Sequence, residues 1–328
     1  MRQHFRLAPA FAVILGSGAL PALADPPRVV SDIPVVGAMV QEVMGDLGEP
    51  TVLLETGGDA HHYQLRPSQA RSLQDAELLV WVGPELTPWL ARPAESLSQG
   101  RSLGLLALPE THRRDYGSAE AHEGHDHEDH GHDHDHAGHD HDAHDHGEGD
   151  GHDHSGVDPH AWLDPENGRL WLGAIAASLS ELDPENASTY SANAKAAAEE
   201  IAAQDQTLRA TLETVKGKSF VVFHDAYGYF TEHYGLMPAI PVSLGDAAAP
   251  SAARLREIQQ QVQHENATCA FPEANHDPKL LTAVLEGSDV RQGNALDPEG
   301  SLATSGKGLY SAILSNLGSA LADCLSRP

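Results

Sequence analysis

The sequence predicts an α/β protein of two lobes. Each lobe is a parallel sheet flanked by helices, and one long helix joins them. Three observations carry this reading. Short, near-continuous apolar runs alternate with helical patterns in both halves of the chain, as expected of parallel strands covered on both faces. An uninterrupted helical stripe separates the halves. Histidines stand beyond strand ends in each half. A length of 328 residues suits two domains of about 100–200 residues.

Residues 1–24 read as a signal peptide. Arg2, His4 and Arg6 are basic, and Leu7 to Leu20 is apolar but too short to span a bilayer. Ala22-Leu23-Ala24 is a small-x-small cleavage site, with Asp25 as the mature start. A buried N-terminal helix is the alternative; Pro9, Gly16, Gly18 and Pro21 count against it. No later stretch reaches 18 apolar residues, so the mature protein is expected to be soluble outside the inner membrane.

The first lobe is expected over 25–182. Val29-Val30 is a short strand, and Pro34 to Asp46 an amphipathic helix with Pro at its start. Thr51 to Leu54 is a buried strand ending in the Gly57-Gly58 turn. Arg66-Pro67-Ser68 opens a helix to about Asp75, and Glu77 to Val82 is a strand stopped by Gly83-Pro84. Residues 115–157 break the pattern. From His122 to His154 there are 13 His and 12 acidic residues, without Lys, Arg or a large apolar side chain. That composition buries no core, so a disordered loop is expected. A helix then runs from about Glu166 to Leu182.

Asp183-Pro184-Glu185 begins the long linking helix, expected over 183–216. Tyr190, Ala194, Ala197, Ile201, Leu208, Leu212 and Val215 recur at steps of three, four or seven. Roughly thirty residues give about 45 Å at 1.5 Å per residue. A coiled coil is the alternative, but one stripe between α/β segments reads as a strut. The second lobe, 217–328, repeats the alternation. Lys218–Phe223 and Thr268–Phe271 read as strands, and Ala226–Tyr234, Ala252–His264, Lys279–Leu285 and Tyr310–Leu325 as helices.

A formal net charge of −28, from 48 acidic and 20 basic residues, argues against nucleic acid or an anionic membrane as partner. The abnormal count is 22 His against 2 Cys. Cys269 and Cys324 read as one disulfide in an oxidising compartment, or else as two buried thiols. A bridge would staple the last helix to the second sheet, for about 3–4 kcal/mol. Two cysteines make no thiolate-rich metal site, so a metal would rest on His and carboxylates.

His61 and His62 follow the second strand, His160 precedes the helix after the acidic loop, and His224 ends a strand. Ligands of open α/β sheets collect at the carboxyl ends of strands. Three imidazoles converging between lobes would suit Zn²⁺; singly, each is an ordinary surface or hydrogen-bonding residue. Asp297 and Glu273 stand after expected strand ends, as orienting acceptors first and fourth ligands second. Asp225 and Asp164 are outer-shell candidates, with strand-end or N-cap roles as the alternative. The His/Asp tract offers many ligand sets and no preformed one, so its binding should be weaker than a rigid site's; a solubilising linker is the alternative.

The motifs resemble a known family. His61-His-Tyr-Gln-Leu-Arg-Pro-Ser68, Asp75-Ala-Glu-Leu-Leu-Val-Trp-Val-Gly-Pro-Glu85, His160-Ala-Trp-Leu-Asp-Pro165, Phe223-His-Asp-Ala-Tyr-Gly-Tyr-Phe230, Ala267-Thr-Cys-Ala-Phe-Pro-Glu273 and Thr304-Ser-Gly-Lys-Gly-Leu-Tyr310 are similar to the periplasmic zinc-binding proteins of bacterial zinc ABC importers. The resemblance covers essentially the whole mature chain. It implies a crevice site holding Zn²⁺ on His61, His160 and His224, with Asp297 or water fourth, and a Cys269–Cys324 bridge. Manganese relatives carry a carboxylate where this chain has His224. Some zinc relatives have Glu just before the first ligand; here that residue is Ala60.

The resemblance further implies capture of periplasmic zinc and delivery to the membrane permease of a zinc ABC transporter. A periplasmic zinc chaperone is a further expected partner, and the chain is expected to be a monomer. Three His with an open position also suit a zinc hydrolase or hydratase, but no His-Glu-x-x-His and no Gly-x-Ser-x-Gly occurs. The expectation is therefore a non-enzyme. A His-rich metal-storage protein using the tract alone is the remaining alternative.

Overall fold

The computed structural model describes residues 25–117, 156–243, 250–303 and 305–327. The expected signal peptide and the His/Asp tract at 122–154 lie outside the described residues. The residues flanking that segment pair with each other: Asp115 bridges Val157, and the Asp158 amide donates to the Arg114 carbonyl at 2.9 Å.

β1 (Val29–Ser31), β2 (Thr51–Val52), β3 (Leu78–Trp81) and β4 (Arg101–Gly104) form one sheet in the order β2-β1-β3-β4, all parallel. β5 (Phe220–His224), β6 (Ile240–Ser243), β7 (Cys269–Phe271) and β8 (Arg291–Gln292) form the other, ordered β6-β5-β7-β8 and again parallel. The two sheets share one topology. In each, the first strand lies between the second and third, so the chain reverses its course across the sheet at β1 and β5. Crevices that take ligands open at such points.

Alternation explains the apolar strands. Val29, Leu78 and Val80 face a central core, while Val30, Leu79 and Trp81 face an outer layer with Leu73 of α2 (Pro67–Asp75) and Leu90 of α3 (Pro88–Ser96). In the second sheet, Phe220, Val222 and Phe271 turn to the same central core. Val221 and Ala270 turn outward to Ile258 and Val262 of α7 (Ala252–His264) and to Leu281 and Val284 of α8 (Lys279–Leu285). Both faces of both sheets are covered, so a polar residue at an inward position would lose its water without a partner.

The central core belongs to both lobes. It joins Met39 and Val43 of α1 (Pro34–Met44), Trp171 and Ile175 of α4 (Pro165–Leu182), Tyr190 and Ile201 of α5 (Ala187–Leu212), and Leu314 and Leu317 of α9 (Leu309–Leu325). At 26 residues, α5 is about 39 Å long. Its ends tighten into 3₁₀ turns at Pro184–Asn186 and Glu213–Val215, so the α-helical part is shorter than the stripe suggests. The lobes meet again where the Tyr310 hydroxyl donates to the Trp162 carbonyl at 2.8 Å. A Cβ on Gly168 would lie 2.0 Å from that hydroxyl oxygen, so only glycine fits there.

Cys269 in β7 and Cys324 in α9 form a disulfide with Cα atoms 6.2 Å apart. No helix among the described residues is long and apolar enough to cross a membrane. Three elements were not anticipated: α3, β4 and β6. β4 reads Arg-Ser-Leu-Gly and is half exposed, and β6 carries Pro241 on an edge strand. Both lack the signal of a buried strand.

Replacing both cysteines with alanine should lower unfolding stability by about 3–4 kcal/mol. Guanidinium melts of the oxidised protein and the double variant check this.

Candidate metal centre

Each imidazole is delivered by a different element. His224 is the last residue of β5. His160 precedes the 3₁₀ turn Ala161–Leu163 that leads into α4. His61 lies on the loop after β2. There Asp59 Oδ1 accepts the amides of His61 at 2.8 Å and His62 at 3.2 Å. The Trp89 indole donates to the Ala60 carbonyl at 2.7 Å, anchoring this loop to α3.

The three rings converge. Their centroids are 5.4 Å apart for His61–His160, 6.2 Å for His61–His224 and 5.2 Å for His160–His224. Nε2 of His160 and Nε2 of His224 stand 3.4 Å apart. Glu299 joins them: ligand atoms of His61, His160, His224 and Glu299 all lie within 4.8 Å of one another. His160, His224 and Glu299 are buried and His61 is partly exposed. Four donors from both lobes thus surround a point that one divalent ion can fill.

Carboxylates aim two of the rings. His224 Nδ1 is 2.5 Å from Glu273 Oε2. Glu273 Oε1 accepts the Tyr227 hydroxyl at 2.7 Å and the His224 amide at 3.3 Å. His160 Nδ1 is 2.8 Å from Asp158 Oδ1, and Asp158 Oδ2 accepts Arg114 Nη1 at 2.8 Å. With Nδ1–H donated backward, each Nε2 lone pair faces the centre.

The same contacts set the protonation of the metal-free site. Burial lowers His224, but the Glu273 carboxylate more than reverses this and holds it near 9. Burial raises Glu273, and the His224 charge and the His224 and Tyr227 hydrogen bonds bring it below its usual range. His160 is lowered well below 6.5, by burial and then by the His224 charge. Burial lifts Asp158 to about 6 against the His160 amide and Arg114, and lifts Glu299 to about 8 against the His224 charge. One proton on the His224–Glu273 couple, a protonated Glu299 and a neutral His160 therefore describe the metal-free site near neutrality.

The structure does not bring Asp297 into this group. Its Oδ1 accepts the Ser301 amide at 2.8 Å and hydroxyl at 3.0 Å, and its Oδ2 accepts the Leu302 amide at 3.2 Å. His62 also stays outside, with Nδ1 3.3 Å from Asp59 Oδ2. Asp164 caps α4 through the Glu166 amide and also meets His112 and His233. His224, Glu273 and His276 form a second group of metal-ligating type, but Glu273 Oε2 there already faces His224 Nδ1. Sequence reasoning missed Asp158, Arg114 and Glu299. Asp158 had a signal: Asp59-Ala60-His61 and Asp158-Pro159-His160 share the spacing Asp-x-His, and in both the Asp Oδ1 accepts the His amide.

Two like-ordered parallel sheets on a shared long helix, with imidazoles gathered where the lobes meet, define a metal-binding solute-binding protein. The comparisons agree. The family model described as zinc-uptake complex component A, periplasmic (ZnuA) matches residues 29–324. The high-affinity zinc uptake system protein ZnuA of Paracoccus denitrificans is 66% identical over 315 residues, covering 96% of each chain. The protein of that name from Brucella suis is 37% identical over 313 residues, covering 91% of this chain and 92% of its own. A crystal structure of ZnuA superposes with a TM-score of 0.71 at 22% identity, covering 92% of this chain and all of its own, and shares the fold. The chain belongs to the ZnuA family of periplasmic zinc-uptake components.

In Glu273→Gln, His224 loses the largest of the charges that oppose burial, while Glu299 and Asp225 remain. Its titration in chelator-treated protein should move down from near 9, as followed by histidine NMR.

Proposed function

We propose that the crevice captures Zn²⁺ in the periplasm on His61, His160 and His224 and delivers it to the membrane permease of an ABC zinc importer. The protein is a zinc carrier, not an enzyme. One observation supports the site assignment above all: three imidazoles from three separate elements approach a common point, two with carboxylates behind them. Zn²⁺ is the fitting ion because neutral imidazoles are borderline donors that suit it.

Capture needs little rearrangement, since the orienting hydrogen bonds already stand. The single core shared by α1, α4, α5 and α9 opposes wide hinge opening, so release to the permease proceeds by small lobe shifts and loop reordering. The protein works as a monomer, receives zinc from solution or from a periplasmic chaperone, and uses the tract at 122–154 to gather zinc at weak sites. Residues 1–24 act as the export signal.

The test is calorimetry with zinc on the full chain, on a 122–154 deletion, and on His61→Ala, His160→Ala and His224→Ala. The deletion should lose weak sites and keep one tight site. Each alanine variant should lose the tight site and keep the weak ones. Tight binding that survives all three alanine substitutions would sink the assignment.

A pH dependence follows. His224 is raised, so its proton is bound below about pH 9 and zinc must displace it. Affinity should therefore fall as pH drops, by about tenfold per unit for the His224 proton, and the proton on Glu299, which burial lifts to about 8, adds to the slope below that pH. Chelator competition between pH 8 and 6, corrected for the chelator's own protonation, reads the slope; a flat profile contradicts imidazole ligation.

A further inference from the structure

We infer that His276 is an entry ligand: an incoming Zn²⁺ binds its imidazole first, at the cavity beside His61, and passes from there to His224 and the centre. This rests on reading the three imidazoles as the zinc site.

A tight turn puts His276 in place for that task. Glu273, which aims His224, pairs with Leu296, and the Ala274 amide donates to the Leu296 carbonyl at 2.8 Å. Asn275 follows at φ 68°, a left-handed conformation that Asn adopts more readily than most residues. Its Nδ2 donates to the Ser301 hydroxyl at 2.5 Å. The His276 amide then donates back to the Glu273 carbonyl at 3.4 Å. The chain thus doubles back and lays the His276 ring on Phe223, next to His224. The two rings stack with centroids 4.3 Å and planes 23° apart.

The stacked imidazole is within reach of the centre without belonging to it. Its centroid lies 6.0 Å from that of His224, slightly nearer than His61 at 6.2 Å. Ligand atoms of His276, Glu273 and His224 lie within 4.8 Å of one another, a gap that two zinc–nitrogen bonds of about 2.0–2.1 Å nearly span. An ion can therefore change hands between the two rings in one short step. It cannot settle at His276, because the nearest further donor, Glu273 Oε2 at 3.8 Å, already faces His224 Nδ1. Among the described residues, no hydrogen bond engages either ring nitrogen of His276. A phenyl ring would stack on Phe223 as well; what the imidazole adds is a free donor.

Exposure gives the order of contact. His61 and His276 are partly exposed, whereas His160 and His224 are buried. His61, His224 and His276 all line the cavity of about 150 Å³, which has room for an ion with a few waters. Asp59 and Asp297 stand in its wall, and among the described residues no Lys or Arg does, so no permanent cation opposes a dication there. A nitrogen at this point replaces a lost water before the buried rings can. Such a ligand lowers the barrier from both sides. It speeds capture and release alike and leaves the affinity of the centre unchanged.

The test is zinc exchange between the full chain and a coloured chelator, followed by stopped flow in both directions. Free zinc is buffered low enough that only the tight site fills. His276→Phe keeps a ring on Phe223 and lacks the nitrogen. It should slow capture and release by about tenfold each, a barrier about 1.4 kcal/mol higher, with Kd within about threefold. His276→Asp gives up the stacking and restores a donor, so it should recover more than half of the lost rate on a logarithmic scale. His264→Phe, which removes an exposed imidazole at the end of α7, should leave both rates unchanged. Unchanged metal-free thermal melts show that the variants fold. Rates within twofold of the unaltered protein in His276→Phe overturn the proposal. So does a faster release with a matching loss of affinity, which marks a resting ligand or a packing role. A His276→Asp variant no faster than His276→Phe, or an equal slowing in His264→Phe, also overturns it. Each of these results leaves the three-imidazole site standing; that site fails separately, if the His61, His160 and His224 variants keep tight binding.

Discussion

The two imidazole–carboxylate couples, His224 with Glu273 and His160 with Asp158, are the constraint on which the rest of the site depends. A buried imidazole can present either nitrogen, and its ring can turn about two torsions. Donating Nδ1–H to a fixed carboxylate settles both choices and leaves Nε2 facing the crevice. The carboxylates in turn need support, because an isolated buried anion is costly. Tyr227 and the His224 amide support Glu273, and Arg114 and the His160 amide support Asp158. Removing any of these groups would change the aim and protonation of a ring.

The shared core decides how that site can move. α1 and α4 belong to the first lobe, α9 to the second, and α5 runs between them, yet their buried side chains form one cluster. Opening the lobes widely would expose that apolar surface, at about 25 cal/mol per Å². The low-energy motions lie in the loops at the crevice. His61, partly exposed on the loop after β2, faces a cavity of about 150 Å³ shared with Asp59, His276 and Glu299. His224 lines the same cavity from its buried side, and His160 lies buried beyond it. The cavity beside His61 is therefore the side of the crevice where opening disturbs the least core.

Much of this was legible in the sequence. β3 and β5 declare themselves by unbroken apolar runs, α5 by its stripe, and α4 by Asp164 capping a helix that begins with Pro165. β4 was hidden because its residues are half exposed, and α3 because Pro93 interrupts its pattern. Among the site residues, the three histidines could be picked out because few His lie outside the tract and each stands next to an element boundary. The carboxylates could not be ranked. Whether Asp297 or Glu299 faces the ion depends on which of them closes the loop, and both sit on the same turn. Asp158 and Arg114 meet across the insertion, 44 positions apart, and no local pattern records such a contact.

The two sheets match in topology, yet only one of their two equivalent strand ends presents an imidazole to the crevice. β1 and β5 occupy equivalent places, and in each lobe a carboxylate links the end of the first strand to the end of the third. In the first lobe the carboxylate is Asp32, after β1. It accepts the Val82 amide beyond β3 and the Ile33 amide, both at 2.9 Å, and burial lifts it to about 7 despite these bonds. In the second lobe the carboxylate is Glu273, beyond β7, and it accepts the amide and ring of His224 at the end of β5. The first arrangement spends both oxygens on backbone and locks its own crest. The second spends one oxygen on a ring whose far nitrogen stays available. Having no imidazole at its strand end, the first lobe supplies its donors from outside the sheet: His61 from the loop beyond β2, and His160 from the turn before α4. In each of these the turn is set by an Asp two residues earlier, so one local device, used twice, provides what the sheet of that lobe does not.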